Sequence, residues 1–210
     1  MSTKPYRFAD EDAATGLAFK DPGTIRVMPS NRLINPLTMG PEDVRIEEVA
    51  HGLARMCRYG GHIRPPLPQA ETYNVAQHSI IVCNVLKLQG FGLSIQLAGL
   101  LHDGEEGLGM MDIPKPIKSN PMLSKYVLAC DRLREVIFQA FGLHYSLYNV
   151  DVKRVDHEVY LMERRAFWDG NHEIVALGPR VSEEKFLSKF KDLHGAIHDH
   201  NLLSRQPVSC

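Results

Sequence analysis

Four side chains with imidazole or carboxylate groups are the first candidates for chemistry in this sequence. His78 lies in the apolar segment VAQHSIIVC, the pair His102 and Asp103 ends the apolar run LAGLLHD, and Asp156 lies in VKRVDHEVY. Two imidazole nitrogens and two carboxylate oxygens suit zinc, manganese, iron, cobalt or nickel better than calcium. The sequence therefore predicts one divalent transition metal bound by His78, His102, Asp103 and Asp156.

Helical periodicity places two of these residues among apolar neighbours. His78 has apolar residues three, four and seven positions on, and Asp156 has them four before and three and four after. A buried carboxylate must be protonated, paired with a cation or bound to a metal. Taken singly, each residue has an ordinary alternative: His78 as a hydrogen-bonded core histidine, and Asp156 as an ion-pair partner of Arg132 or Arg154.

The elements that must position these residues are predicted to be helices. Apolar spacing predicts helices over residues 42–57, 75–89, 93–106, 122–141, 149–169 and 182–199. Strand-like alternation is rare, so we expect an all-α, globular fold. Residues 1–42 are predicted as an irregular segment packed on the domain, with a short extended piece at GTIRVM, and residues 43–201 as the domain, followed by a tail over 202–210.

Composition excludes several classes of protein. The 210 residues are 44% hydrophobic and carry a net charge of -1, which fits one domain with no global field for binding nucleic acid or a membrane. The four cysteines are scattered and form no C-x-x-C pair, which is typical of reduced thiols in a cytoplasm. The first fifteen residues lack the apolar segment of a signal peptide. We therefore expect a soluble, cytoplasmic protein.

Five sequence words, in order, carry a resemblance to a known family. CRYGGH, YNVAQHS, LAGLLHDGEE, DIPKPIK and VKRVD resemble the HD-domain metal-dependent phosphohydrolases, over roughly residues 46–167. The words are similar to bacterial HD-domain 5′-deoxynucleotidases and to phage dATP triphosphohydrolases of viruses whose genomes carry diaminopurine. The resemblance implies an HD-domain helical bundle, a homo-oligomer, a small deoxynucleotide substrate, and His78, His102, Asp103 and Asp156 as ligands of a divalent metal, with a second weakly bound ion left open.

The resemblance also implies roles for residues around the ligands. Glu106 matches the family's catalytic acid, and its position four residues after His102 predicts that both share a helical face. Asp112 matches a second acid, although GLGMM makes the preceding spacer one residue longer than usual. Glu105 is predicted to be a solvated bystander. Residues that match substrate contacts are Arg58, Tyr59, His62, Lys115 and Lys118.

The resemblance implies hydrolysis of dATP to deoxyadenosine and triphosphate, which would deplete dATP in a phage-infected cell. A 5′-deoxynucleotidase acting on deoxynucleoside monophosphates is the alternative, and a nucleotide-binding protein without turnover is a third reading. A second His-Asp pair occurs at His198 and Asp199, with His194 four residues before. Because this pair lies near a polar chain end and no acid follows it as Glu106 follows Asp103, we expect a solvated helix end there.

Overall fold

The computed structural model of the protein describes residues 23–63, 72–148, 150–169 and 174–203, without the side chains of 201–203. Its helices, numbered along these residues, are α1 (Ile46–Arg55), α2 (Val75–Leu88), α3 (Leu93–Leu101), α4 (Gly104–Gly107), α5 (Lys115–Lys118), α6 (Ser124–Ala140), α7 (Val150–Phe167) and α8 (Gly178–Leu203). Short 3-10 turns lie at Pro41–Asp43, Arg58–Gly61, Pro121–Leu123 and Tyr145–Leu147. The expected all-α fold is confirmed.

Helices α2 and α3 form the centre of the bundle. The long helix α8 packs against α1, α2 and α3, and α7 packs against α2 and α3. Apolar side chains from all of these helices are fully buried, among them Leu53, Leu86, Leu97, Val155 and Phe186. At the start of α2, the Asn74 side chain accepts a hydrogen bond from the Gln77 N–H, which caps the helix that carries His78.

Glycines permit two close helix crossings beside the predicted ligands. A Cβ atom on Gly52 of α1 would lie 2.0 Å from the Gly107 carbonyl oxygen of α4, and one on Gly107 would lie 2.4 Å from the Val49 oxygen. A Cβ atom on Gly99 of α3 would lie 2.2 Å from a Leu86 methyl carbon of α2. At the first crossing the backbones approach more closely than any other residue permits, and at the second the Leu86 side chain fills the space that a Cβ would take. The crossings therefore fix where α3 and α4 lie.

The predicted helix over 93–106 is wrong as one continuous element. Helix α3 ends at Leu101, and α4 begins at Gly104. Between them, Asp103 has φ of -109° and ψ of 19°, outside the helical range. The break reorients the chain so that α4 can pack against α1 and α6. Because the helix is broken between them, Glu106 does not follow His102 on one continuous helical face.

A small hairpin precedes the bundle. Strand β1 (Ile25–Val27) pairs antiparallel with β2 (Arg32–Ile34), which matches the extended piece expected at GTIRVM. The Arg32 guanidinium contacts both carboxylate oxygens of the buried Glu48 on α1, at 2.7 Å each, and also donates to the Asp43 carbonyl oxygen. This paired contact attaches the hairpin to α1.

The remaining predicted helices are present, with shifted ends. Those predicted over 42–57, 75–89, 122–141 and 149–169 are shorter by a few residues, whereas the one predicted over 182–199 runs from Gly178 to Leu203. Among the helices in the described ranges, none is both long enough and apolar enough to cross a membrane. The first fifteen residues, in which no signal peptide is predicted, lie outside the described ranges. So does most of the predicted tail over 202–210.

Candidate metal centre

The four predicted ligands come together from α2, the turn between α3 and α4, and α7. The Nε2 atoms of His78 and His102 are 3.3 Å apart. Asp156 Oδ1 lies 3.1 Å from the Nε2 atom of His78 and 3.7 Å from that of His102. Asp103 Oδ2 lies 3.2 Å from the Nε2 atom of His102 and 3.8 Å from that of His78. Two nitrogen and two oxygen donors thus face one point.

The separations and chemistry of these donors fit a bound metal ion. Donors held about 2.1 Å from one ion lie about 3.0 to 3.4 Å apart in tetrahedral or adjacent octahedral positions; of the separations given above, three lie in this range and the other two, at 3.7 and 3.8 Å, are slightly wider. Both imidazoles are buried, and the group formed by His78, His102 and Asp103 can hold a metal ion. Asp156 brings a second carboxylate to the same point.

The cluster also has a strong preference for positive charge. Burial opposes protonation of His102, yet the adjacent carboxylates of Asp103 and Asp156 raise its pKa well above the ordinary value. Either a proton on the imidazole or a divalent cation would neutralise part of the negative charge of these carboxylates. This electrostatic demand is a second reason why the donor set suits a cation.

The outer nitrogen of each imidazole has a fixed partner. His78 Nδ1 lies 2.5 Å from Glu163 Oε1, and His102 Nδ1 lies 2.8 Å from the Gly99 carbonyl oxygen. Since both partners are acceptors, each Nδ1 carries the hydrogen and donates it. With a metal ion in place of a second ring proton, each Nε2 lone pair would be directed into the cluster, as a metal ligand requires.

Glu163 is a site residue that the sequence predictions missed. It is fully buried on α7 and accepts hydrogen bonds from the hydroxyl groups of Tyr59 and Tyr73 and from the Arg58 guanidinium, besides His78. Although burial favours the neutral acid, His78 and Arg58 lower the pKa of Glu163 to about 2. Its spacing of seven residues from Asp156, two turns along one helical face, was the available signal.

Glu105 is not the solvated bystander expected from the sequence. Its side chain is fully buried and forms an ion pair with Arg134 of α6. Arg134 Nε also donates to the His102 carbonyl oxygen at 2.6 Å. The pair therefore stabilises the turn that carries His102 and Asp103. The prediction failed because burial of Glu105 depends on a partner twenty-nine residues away.

Glu106 lies on the cluster side of α4, with a ligand atom within 4.8 Å of one on Asp103. Its Oε1 is 3.6 Å from Lys118 Nζ, whereas its buried Oε2 has no hydrogen-bond partner among the described residues. Burial, together with the charges of Asp103 and Asp112, raises the pKa of Glu106 well above the ordinary value. A buried carboxylic acid next to a cation-binding cluster is equipped to give a proton.

Arg58 connects the cluster to Glu163. It lies 3.6 Å from Asp103 Oδ2 and 3.2 Å from Glu163 Oε2, and its buried Nε has no hydrogen-bond partner within the described ranges. Asp112 accepts a hydrogen bond from the Tyr59 backbone N–H. Burial raises the pKa of Asp112, and the Arg58 charge partly opposes that rise. Arg58 thus borders the cluster, and the predicted substrate-binding role of Arg58 and catalytic role of Asp112 stay predictions.

The other predicted contacts lie at varying distances from the cluster. Tyr59 uses its hydroxyl to bind Glu163, and its ring contacts that of Trp168 edge-on. Lys118 reaches Glu106, whereas His62 and Lys115 are exposed, so their binding of phosphate stays a prediction.

His78 is a buried histidine hydrogen-bonded to Glu163, as its ordinary alternative states, whereas the ion pair of Asp156 with Arg132 or Arg154 is not seen among the described residues. Arg132 donates to the Met39 carbonyl oxygen, and Arg154 contacts Glu158, so neither is seen as the partner of Asp156. At the second His-Asp pair, His198 and Asp199 are exposed on α8. The ring of His194 stacks on Phe190 with centroids 5.2 Å apart.

Comparison with known proteins finds relatives of unassigned function. The chain is 28% identical over 167 residues to the uncharacterized protein YfdR of Escherichia coli (strain K12), covering 72% of this chain and 85% of that protein. It is 35% identical over 118 residues to the uncharacterized protein RCAP_rcc00048 of Rhodobacter capsulatus, covering 55% of this chain and 57% of that protein. No family model matches the chain. Function must therefore be inferred from the site.

Proposed function

We propose that this protein is a metal-dependent phosphohydrolase of deoxynucleotides that cleaves dATP to deoxyadenosine and triphosphate. The observation that carries the proposal is the convergence of two imidazole nitrogens and two carboxylate oxygens beside the buried acid Glu106. The preference for dATP rests on the sequence resemblance of CRYGGH and YNVAQHS to phage dATP triphosphohydrolases. Depletion of dATP in a phage-infected cell belongs to the same proposal.

Residues His78, His102, Asp103 and Asp156 would hold the ion. When bound, a divalent metal supplies Lewis-acid polarisation of a phosphoryl oxygen and lowers the pKa of water. The guanidinium of Arg58, next to Asp103, would bind a phosphate oxygen and offset the negative charge that grows during reaction. Its Nε, which lacks a partner within the described residues, is free to donate to such an oxygen.

Glu106 is the proposed acid. Attack of water on the α-phosphorus breaks the bond to the 5′ oxygen, and that oxygen must gain a proton as it leaves. The raised pKa of Glu106 favours its protonated form, which would supply this proton. Lys118, 3.6 Å from Glu106, would stabilise the carboxylate that results. A cation at the cluster offsets part of the pKa rise, because it neutralises Asp103.

The test is a substrate panel with identified products. Deoxynucleoside mono-, di- and triphosphates would each be incubated with Mn²⁺, Co²⁺, Zn²⁺ or Mg²⁺, and the released phosphate species measured. We expect triphosphate from dATP with at least one transition metal. Turnover of dAMP without turnover of dATP would replace the proposal with a 5′-deoxynucleotidase. Metal and nucleotide binding without any cleavage would favour a nucleotide-binding protein.

A further inference from the structure

The carboxylate of Glu163 has all of its acceptor positions filled. Oε1 accepts from His78 Nδ1 at 2.5 Å and from the Tyr73 hydroxyl at 2.6 Å, and Oε2 accepts from the Tyr59 hydroxyl and from Arg58 at 3.2 Å. A carboxylate offers about four lone-pair sites. With four donors bound and no exposed surface, Glu163 has no capacity to bind substrate or an ion directly. Any effect on chemistry must pass through its partners.

Two of those partners belong to the proposed site. His78 presents Nε2 to the cluster, and Arg58 lies 3.6 Å from Asp103. The two tyrosines are donors that complete the carboxylate shell, and the Tyr73 ring packs on Phe167 with centroids 4.7 Å apart. Glu163 therefore links His78 and Arg58, which lie beside the proposed metal site, to Tyr73, which packs on Phe167.

We propose that Glu163 is a positioning residue that sets the affinity of this centre for its metal ion by holding His78 in the metal-binding tautomer. The proposal rests on the metal centre of the proposed function and names the residue that tunes it.

A contrast within the centre indicates why a charged acceptor matters here. His102 gives its Nδ1–H to the neutral carbonyl oxygen of Gly99, whereas His78 gives its own to an ionised carboxylate. A carboxylate partner fixes the ring orientation and also makes the opposite nitrogen a better electron donor. His78 should therefore be the stronger of the two imidazole ligands because of Glu163. The Arg58 guanidinium, 3.2 Å from Glu163 Oε2, balances the buried charge of this carboxylate.

The experiment measures binding of Co²⁺ alone to the metal-free full chain by calorimetry, without any substrate. Glu163→Gln keeps the size of the side chain but removes its charge. We expect the Co²⁺ dissociation constant to rise about 10- to 100-fold, the usual effect of removing such a partner of a ligand histidine. Thermal unfolding in EDTA checks that the variant is folded.

Tyr73→Phe is the matched control, since it removes one hydrogen bond to the same oxygen but leaves the carboxylate on His78. We expect the metal-free melting temperature to fall by about 2–4 °C, with Co²⁺ affinity unchanged. If Glu163→Gln does not fold, Glu163→Asp keeps the charge for Arg58 but draws it away from Nδ1 by one methylene. The same loss of Co²⁺ affinity is then expected.

Wild-type Co²⁺ affinity in a folded Glu163→Gln or Glu163→Asp variant would overturn the assignment while leaving the proposed function intact. Equal loss of affinity in Tyr73→Phe would also overturn it, because the cluster would then act only through stability. A wild-type chain that binds no Co²⁺ would overturn the metal centre itself, and the proposed function with it.

Discussion

At the scale of single residues, the surroundings of each ionisable group decide what it can do. His78 and His102 are both buried, and both use Nδ1 for an acceptor, so Nε2 is left for the cluster. Glu105 and Glu106 are adjacent and both buried, but among the residues that the structure describes only Glu105 has a buried arginine partner. The first therefore serves the structure, and the second retains an oxygen that can act on a substrate.

The assignment of the metal ligands predicts that the two His-Asp pairs behave differently. His78→Ala should lose bound metal and activity together, because Nε2 of His78 lies within 3.1 to 3.8 Å of every other donor. His198→Ala, in the exposed pair on α8, should keep both. Metal content by atomic spectroscopy and dATP turnover are the measurements. Loss of metal in His198→Ala instead would assign the centre to the other pair.

The acid assignment predicts a variant with metal but without turnover. Glu106→Gln should bind Co²⁺ as the wild type does and lose kcat by a factor of about 100 or more, since an amide cannot give the proton. Glu184→Gln, at a side chain that is 63% exposed, is the control and should keep full activity. Single-turnover kinetics with saturating metal measure the difference. A Glu106→Gln variant with wild-type kcat would remove this residue from the chemistry.

The sequence was enough to indicate the four side chains that cluster, but not the residues that support them. Apolar spacing around His78 and Asp156 indicated polar groups on buried faces, and both do reach one cluster. Glu163 lies seven residues after Asp156 on the same helical face. It was missed because its donors Tyr59 and Tyr73 come from segments about a hundred residues away. Contacts at that separation depend on how helices pack, which local periodicity does not encode.

At the scale of elements, close crossings hold the cluster in place. Helix α4 is only four residues long, too short to be stable alone, and it lies against α1 where Gly52 and Gly107 meet. This contact, together with the ion pair of Arg134 and Glu105, sets the direction of α4 and with it the position of Glu106. Periodicity predicted that a helix covers this region. The break at Asp103 was missed because it depends on packing partners.

A methyl group at this crossing should disturb both stability and activity. Gly107→Ala would place Cβ 2.4 Å from the Val49 carbonyl oxygen, so the backbones must separate, at a cost of at least about 2 kcal/mol. Displacement of α4 moves Glu106, so turnover should fall as well. Gly195→Ala on α8, where an added Cβ would meet no described atom within 4 Å beyond its own helix backbone and chain neighbours, should instead stabilise the protein by about 0.5–1 kcal/mol. Urea unfolding and dATP turnover measure both effects, and equal behaviour of the two variants would contradict the role of the crossing.

At the scale of the whole molecule, the cluster joins chain segments that are far apart in sequence. His78 comes from α2, Asp103 from the turn after α3 and Asp156 from α7. Helices α2, α3 and α7 pack on one another through apolar side chains, so the fold can bring the ligands close before an ion binds. A bound ion would then act as a cross-link among three parts of the bundle and would bind the native state alone.

This arrangement predicts that removal of metal lowers the stability of the whole domain. With free Co²⁺ at about 100 times its dissociation constant, binding to the native state alone adds about 2.7 kcal/mol. For a chain of this length, that corresponds to a melting temperature roughly 5–10 °C higher in Co²⁺ than in EDTA. Asp156→Ala should abolish the difference, because it removes the only donor from α7 in the cluster as described, whereas Asp199→Ala should preserve it. Identical melting of the wild-type chain in Co²⁺ and EDTA would mean that the convergent side chains serve the fold without an ion, since a ligand that binds only the native state must raise its stability.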